Sequence, residues 1–120
     1  MKDIVLAIDV MGGDYGPEET IKGIKMASEI HPNVKFKLFG DKTKSDLELI
    51  KYSLKNFEFF HTKEVIKSDD EPVNALRKLK KSSMRLGINH VSNKNADGFV
   101  SAGNTGALMA ISKVGFKTLK

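Results

Sequence analysis

The chain opens on an unbroken apolar run, Ile4 to Ile8, inside the segment DIVLAID (residues 3–9). A continuous run rich in β-branched residues is the pattern of a strand buried on both faces, as in a parallel sheet. MGGDYGP follows, and its glycines make it a turn. Pro17 with Glu18 and Glu19 then marks a helix start: proline fixes φ in the first turn, and the carboxylates sit at the positive end of the dipole. Ile21, Ile24, Ala27 and Ile30 recur at helical spacing, and His31-Pro32-Asn33 ends the stripe.

The alternation repeats along the rest of the chain. Val34 to Phe39 reads as a second strand, Gly40-Asp41 as a turn, and about Ser45 to Ser53 as a helix with Leu47, Ile50 and Leu54 inward. Phe57 to His61 is the third predicted strand. Segment 62–71 reads as a loop with a short extended piece at Glu64 to Ile66. Pro72 starts a helix with Val73, Leu76 and Leu79 inward, and Met84, Ile88 and Val91 continue a helical stripe beyond Ser82-Ser83. Gly98 to Ser101 is the fourth strand, and a last helix begins near Asn104. Four strand–helix alternations predict an α/β fold: three layers, α/β/α, around a mostly parallel sheet with right-handed crossovers.

Composition narrows the function classes. At 120 residues the expectation from size is one compact domain. The absence of Cys removes disulfides, thiolate metal sites and thiol nucleophiles, and suits a reducing compartment. The longest apolar run falls far short of a membrane span, and a strand-like run starting at residue 4 is no secretory leader, so a soluble intracellular protein is expected. The net charge of +5 is unevenly spread. Residues 1–71 carry 11 basic and 14 acidic groups, whereas residues 72–120 carry 9 and 1. The basic half would attract anions, although 18 of the 20 basic residues are Lys and a Lys-rich solvated face has the same signature.

In an open α/β sheet ligands bind beyond the carboxyl ends of the strands. The loop after the first strand places Gly12, Gly13 and Gly16 without the G-x-G-x-x-G spacing, which disfavours a dinucleotide. Asp9 and Asp14 there would orient a basic group or a water, or serve as a turn aspartate and a helix cap. In SAGNTG, Gly103 and Gly106 leave backbone N–H groups open to a phosphate or carboxylate, with Ser101, Asn104 and Thr105 as side-chain donors. A plain glycine-rich helix cap has the same composition, and no Lys follows as in a Walker loop. Arg77, Lys80, Lys81 and Arg85 form the densest basic cluster, with Ser82 and Ser83 among them. No aromatic interleaves this cluster, which disfavours nucleic acid. His31, His61 and His90 stand at no metal spacing, so no metal is assigned.

Four segments, IDVMGGDYGPEE, HTKEVIKSDDEP, ALRKLKKSSM and ADGFVSAGNTGALM, taken in order, resemble the N-terminal part of the bacterial phosphate acyltransferase family, PlsX. The resemblance implies an isocitrate/isopropylmalate dehydrogenase-like sandwich of which residues 1–120 are the N-terminal part, the C-terminal remainder being absent. It implies an enzyme that makes acyl phosphate from fatty acyl chains on acyl carrier protein and inorganic phosphate, for phospholipid synthesis, with no cofactor. Implied partners are acyl carrier protein, a second copy in a homodimer, and the membrane glycerol-3-phosphate acyltransferase; the implied location is cytoplasmic and peripherally membrane-associated.

On this resemblance, phosphate would sit at Ser101, Gly103, Asn104, Thr105 and Gly106, near Gly12 and Gly13, with Arg77, Lys80, Ser82 and Ser83 adding donors or charge. Asp9, Asp14, Lys80 and Asn104 are the catalytic candidates, and Lys81 and Arg85 would dock the acidic carrier. Where the family commonly reads DAMGGDHAP, this chain has Val10 for Ala and Tyr15-Gly16 for His-Ala. Two alternatives remain: a phosphotransacetylase-like enzyme using acyl-coenzyme A, and a noncatalytic α/β module binding phosphate or an acidic protein.

Overall fold

A computed structural model describes residues 3–13 and 15–115. The elements are β1 (Ile4–Asp9), α1 (Pro17–Ile30), β2 (Val34–Gly40), α2 (Lys42–Lys51), β3 (Phe57–His61), α3 (Pro72–Lys78), α4 (Ser83–Ser92), β4 (Gly98–Val100) and α5 (Thr105–Gly115). The four strands form one sheet in the order β3-β2-β1-β4, with every pairing parallel. Helices pack on both faces, which gives the α/β/α layering expected from the alternation.

The period-2 geometry of β1 distributes its apolar run between two cores. Ile8 and Val10 face α1 and α2 in a cluster with Ile21, Ile24, Phe36, Leu38, Leu49 and Leu54. Ala7 faces the other way, with Phe39 and Ala96, partly buried Leu86 and Val91 of α4 closing that side. A third cluster, Ile66, Ala75, Met84, Ile88, Ala107 and Ile111, joins α3, α4 and α5. Asp9, the last residue of β1, points to the α4 face, where it is 4% exposed.

Several sequence expectations are corrected. Helix α2 starts at Lys42 rather than Ser45, because the Asp41 carboxylate accepts from the Thr43 N–H at 3.0 Å and caps it. That start sets the phase, so Ser45 and Leu49 are buried while Leu47 and Ile50 face solvent. Ile30 and Val73 are also exposed. Segment 62–71 is a loop as expected, and Ile66 within it is buried under α3 and α4. The helical stripe after Pro72 is two helices: Leu79 leaves helical geometry, and the Ser82 hydroxyl caps α4 by accepting from the Arg85 N–H at 3.1 Å. The fourth strand ends at Val100, one residue before Ser101.

Candidate active site at the carboxyl ends of β1 and β4

The strand order fixes where a site can form. From β1 the chain proceeds outward through β2 to β3, then returns to place β4 on the other side of β1. Beyond the carboxyl ends of β1 and β4, two loops therefore diverge from a topological switch point, the place where open α/β sheets bind ligands. The loops meet closely there. A Cβ on Gly12 would lie 2.8 Å from the Gly103 nitrogen and 3.0 Å from the Ser101 hydroxyl oxygen, so only glycine permits this contact.

Asp9 holds the junction from behind. Its Oδ1 accepts from the Ser83 hydroxyl at 2.6 Å and from the Met11 N–H at 3.0 Å. Its Oδ2 accepts from the Ser101 hydroxyl at 3.2 Å, and the Ser101 oxygen in turn accepts the Gly103 N–H at 3.1 Å. Burial pushes the Asp9 carboxyl above its ordinary 3.8, opposed by hydrogen bonds from Ser83, Met11, Ser101 and Gly12. Desolvation is the larger effect, and these donors limit its cost.

A cavity of about 320 Å³ opens in front of this junction, lined by Met11, Gly13, Val65, Ile66, Lys67, Ser68, Ala102 and Gly103. Gly13 adopts φ +84°, a left-handed conformation that carries the loop past Ala102. The opposite wall, residues 65–70, is fixed by Asn104. Its Nδ2 donates to the carbonyls of Asp70 at 2.7 Å and Lys67 at 3.1 Å, while its Oδ1 accepts the Ala107 N–H at 3.0 Å and caps α5. The Lys67 N–H donates to the Asp70 carboxylate at 2.7 Å. Both hydrogen-bonding functions of the Asn104 amide are thus engaged in shaping the wall.

The structure brings together Asp9, Gly12, Gly13, Ser83, Ser101, Gly103 and Asn104, drawn from three of the four sequence motifs. The second motif supplies Val65 to Ser68, which complete the cavity. The basic cluster is not part of this lining. Arg77, Lys80 and Lys81 are exposed, and the Arg85 guanidinium donates to the Leu76 carbonyl at 3.4 Å. The break between α3 and α4 puts Arg77 and Arg85 on separate helices, with Lys80 and Lys81 in the turn between them. Ser82 spends its hydroxyl on the α4 cap. Gly106 sits against Pro72, where an added Cβ would come within 2.7 Å of the proline ring. Asp14 lies outside the described residues, as does the side chain of Thr105, whose backbone begins α5.

Sequence reading missed Lys67, the one basic side chain among the lining residues. Nothing in its spacing distinguishes it from seventeen other lysines; the Asn104 contact that pins its carbonyl is tertiary, 37 residues away. Of the histidines, His61 accepts the Lys42 N–H on Nδ1 at 3.0 Å, and His90 packs against Phe39 and Phe60. Among the described residues no group of three or more His, Cys, Asp or Glu could hold a metal ion. No helix among them is long and apolar enough to cross a membrane.

Fold and cavity together define an open parallel α/β unit with a cavity at its switch point. Residues 4–120 match the family described as "Fatty acid synthesis protein", and the chain belongs to that family. It is 48% identical to the phosphate acyltransferase of Shewanella baltica (strain OS155), over 99% of this chain and 36% of the relative. Against the phosphate acyltransferase of Shewanella amazonensis the figure is 45% over the same shares. The chain thus spans about a third of the length of the curated relatives it matches. The resemblance carried by the four motifs is in this way established across the whole chain.

Proposed function

We propose that this chain is the N-terminal part of a phosphate acyltransferase, and that the cavity between the β1 and β4 loops is where its inorganic phosphate binds. The observation that carries the reading is convergence: family motifs separated by tens of residues supply the walls of one cavity at the switch point. Glycine in the lining lets an anion come close to the backbone, and Lys67 adds a positive charge; the Gly103 N–H would turn from Ser101 Oγ to the anion or stay behind it. The acyl donor in this reading is a fatty acyl thioester of acyl carrier protein.

The chemistry asks for little more than positioning. A phosphate oxygen attacks the thioester carbonyl, a C–O bond forms, and the tetrahedral oxyanion collapses with cleavage of C–S. The thiolate leaves and takes a proton from solvent, giving acyl phosphate. No covalent protein nucleophile is needed, so the absence of Cys is compatible with the reaction. Donors aimed at the developing oxyanion are worth about 3–4 kcal/mol each. Exposed Lys80 and Lys81 carry charge suited to docking an acidic carrier protein, an effect on association rate and its salt dependence. A homodimer, association with the membrane surface and delivery to the glycerol-3-phosphate acyltransferase belong to the same reading.

The test is a titration of the chain with inorganic phosphate, followed by backbone amide NMR, beside an acyl phosphate assay with acyl-carrier-protein and coenzyme A thioesters. Saturable shifts of the Gly13 and Gly103 amides support the reading. Turnover with coenzyme A alone would reassign the donor. Phosphate binding elsewhere, or none, would overturn the placement and leave the noncatalytic alternative.

A further inference from the structure

The phosphate reading leaves one buried group without a role. Asp9 does not line the cavity; it lies behind the wall, nearly inaccessible, with Ser83 from α4 and Ser101 from the end of β4 on its two oxygens. Burying a carboxylate costs stability, and a strand end has no need of one, since an apolar residue would pack there at lower cost. The connections lead to the cavity. From Asp9 Oδ2 through the Ser101 hydroxyl they reach the Gly103 N–H, and from Oδ1 they reach the Met11 N–H. Met11 and Gly103 are both lining residues, one from each loop. Ser83, fully buried at the first position of α4, links the same carboxylate to the helix behind.

We propose that Asp9 is a positioning residue: through Ser101 and the Met11 N–H it holds the Met11–Gly13 and Ala102–Gly103 backbones in the register that shapes the ligand cavity, with Ser83 anchoring the carboxylate to α4. The role rests on the phosphate reading only for the identity of the ligand. The coupling between the two loops stands on the hydrogen bonds themselves. Hydroxyl donors suit the arrangement because each gives its single proton to Asp9, and Ser101 keeps a lone pair for Gly103. An amide at position 9 would present a donor to Ser101 and break that direction.

The experiment compares the chain with Asp9→Asn, Ser101→Ala and, as a structural control, Ile21→Val, a conservative core change on α1, on the face of the sheet opposite the Asp9 side chain. Amide resonances and hydrogen exchange are read at Met11, Gly13 and Gly103, with phosphate affinity measured in parallel. Asp9→Asn and Ser101→Ala are expected to shift the Gly103 amide and speed its exchange about tenfold, the effect of losing one charge-assisted hydrogen bond. Asp9→Asn also moves Met11. Phosphate affinity falls by a similar factor in both, while Ile21→Val lowers stability and leaves these amides and the affinity unchanged. The proposal is overturned if Gly103 keeps wild-type exchange in either variant, or if Ile21→Val disturbs the same amides equally. If Asp9→Asn does not fold, Ser101→Ala decides, because it leaves the carboxylate with Ser83 and Met11. Should the wild-type chain bind no phosphate while the amides respond as described, the phosphate reading falls and the positioning role stands.

Discussion

Replacing Gly12 with alanine inserts one methyl group at the tightest contact between the two loops. The new Cβ would lie 2.8 Å from the Gly103 nitrogen, 3.0 Å from Ser101 Oγ and 3.2 Å from Gly103 Cα, whereas ordinary contact begins near 3.4 Å. The loops must therefore separate by about 0.6 Å. Gly103 cannot turn aside without giving up its bond to Ser101, and Ser101 cannot move without loosening its bond to Asp9. Overpacking of this kind costs about 1–3 kcal/mol. Taking about 2 kcal/mol, and about 3–6 °C per kcal/mol for a domain of this length, the midpoint falls by roughly 6–12 °C. Thermal and urea unfolding followed by circular dichroism measure it. Gly23→Ala is the internal comparison: a Cβ there meets nothing within 4 Å, and in the middle of α1 alanine is expected to stabilise by about 0.5–1 kcal/mol. If Gly12→Ala matches the wild type in stability and phosphate affinity while Gly23→Ala behaves as described, the close apposition of the loops is wrong.

Asn104→Ala removes the α5 cap and the ties to residues 67–70, and is expected to cost about 1–2 kcal/mol in urea unfolding; a loss under about 0.3 kcal/mol would contradict the cap. Gly87→Ala drives a Cβ into the Phe99 ring where α4 crosses β4, so a loss of about 1–3 kcal/mol is expected, and unchanged stability would refute that packing. Asp9 holds its proton more tightly in the folded chain than in the unfolded one, where its pKa is near 3.8. Its contribution to stability therefore declines as pH rises from the unfolded value through the higher folded value, and the cost of burying the charge is complete above that window. The stability of Asp9→Asn relative to wild type should accordingly rise with pH across the acidic range and then level off, and a difference that falls instead would reverse the assignment.

The sheet was legible because its signal is local. The run at Ile4–Ile8 announces a strand buried on both faces, and every predicted strand appears in the structure with shifts of at most one residue at its ends. The phase of α2 was not legible from Leu47 and Ile50, because Asp41 capped the helix three residues earlier and rotated those side chains outward. The break at Leu79–Ser82 was marked only by the serine pair, and the apolar stripe on either side concealed it. At the site, the glycines and Ser101 were visible as loop composition. That Asp9 would join Ser83 and Ser101 was not, since those partners lie 74 and 92 residues away and no periodicity reports such contacts.

Those separations have a consequence for how the molecule comes together. The β1–β2–β3 half, with α1 and α2, has short connections and its own apolar cluster, and it can assemble early. Without α4 and β4 in place, the Asp9 carboxylate lacks both of its serine donors. Only when α4 docks and β4 adds to the exposed edge of β1 does the carboxylate lose its water and acquire both serines. These contacts close loops of 74 and 92 residues and so carry a large closure entropy. The surroundings of one aspartate near the start of the chain are thus completed by residues that the chain supplies only 74 and 92 positions later.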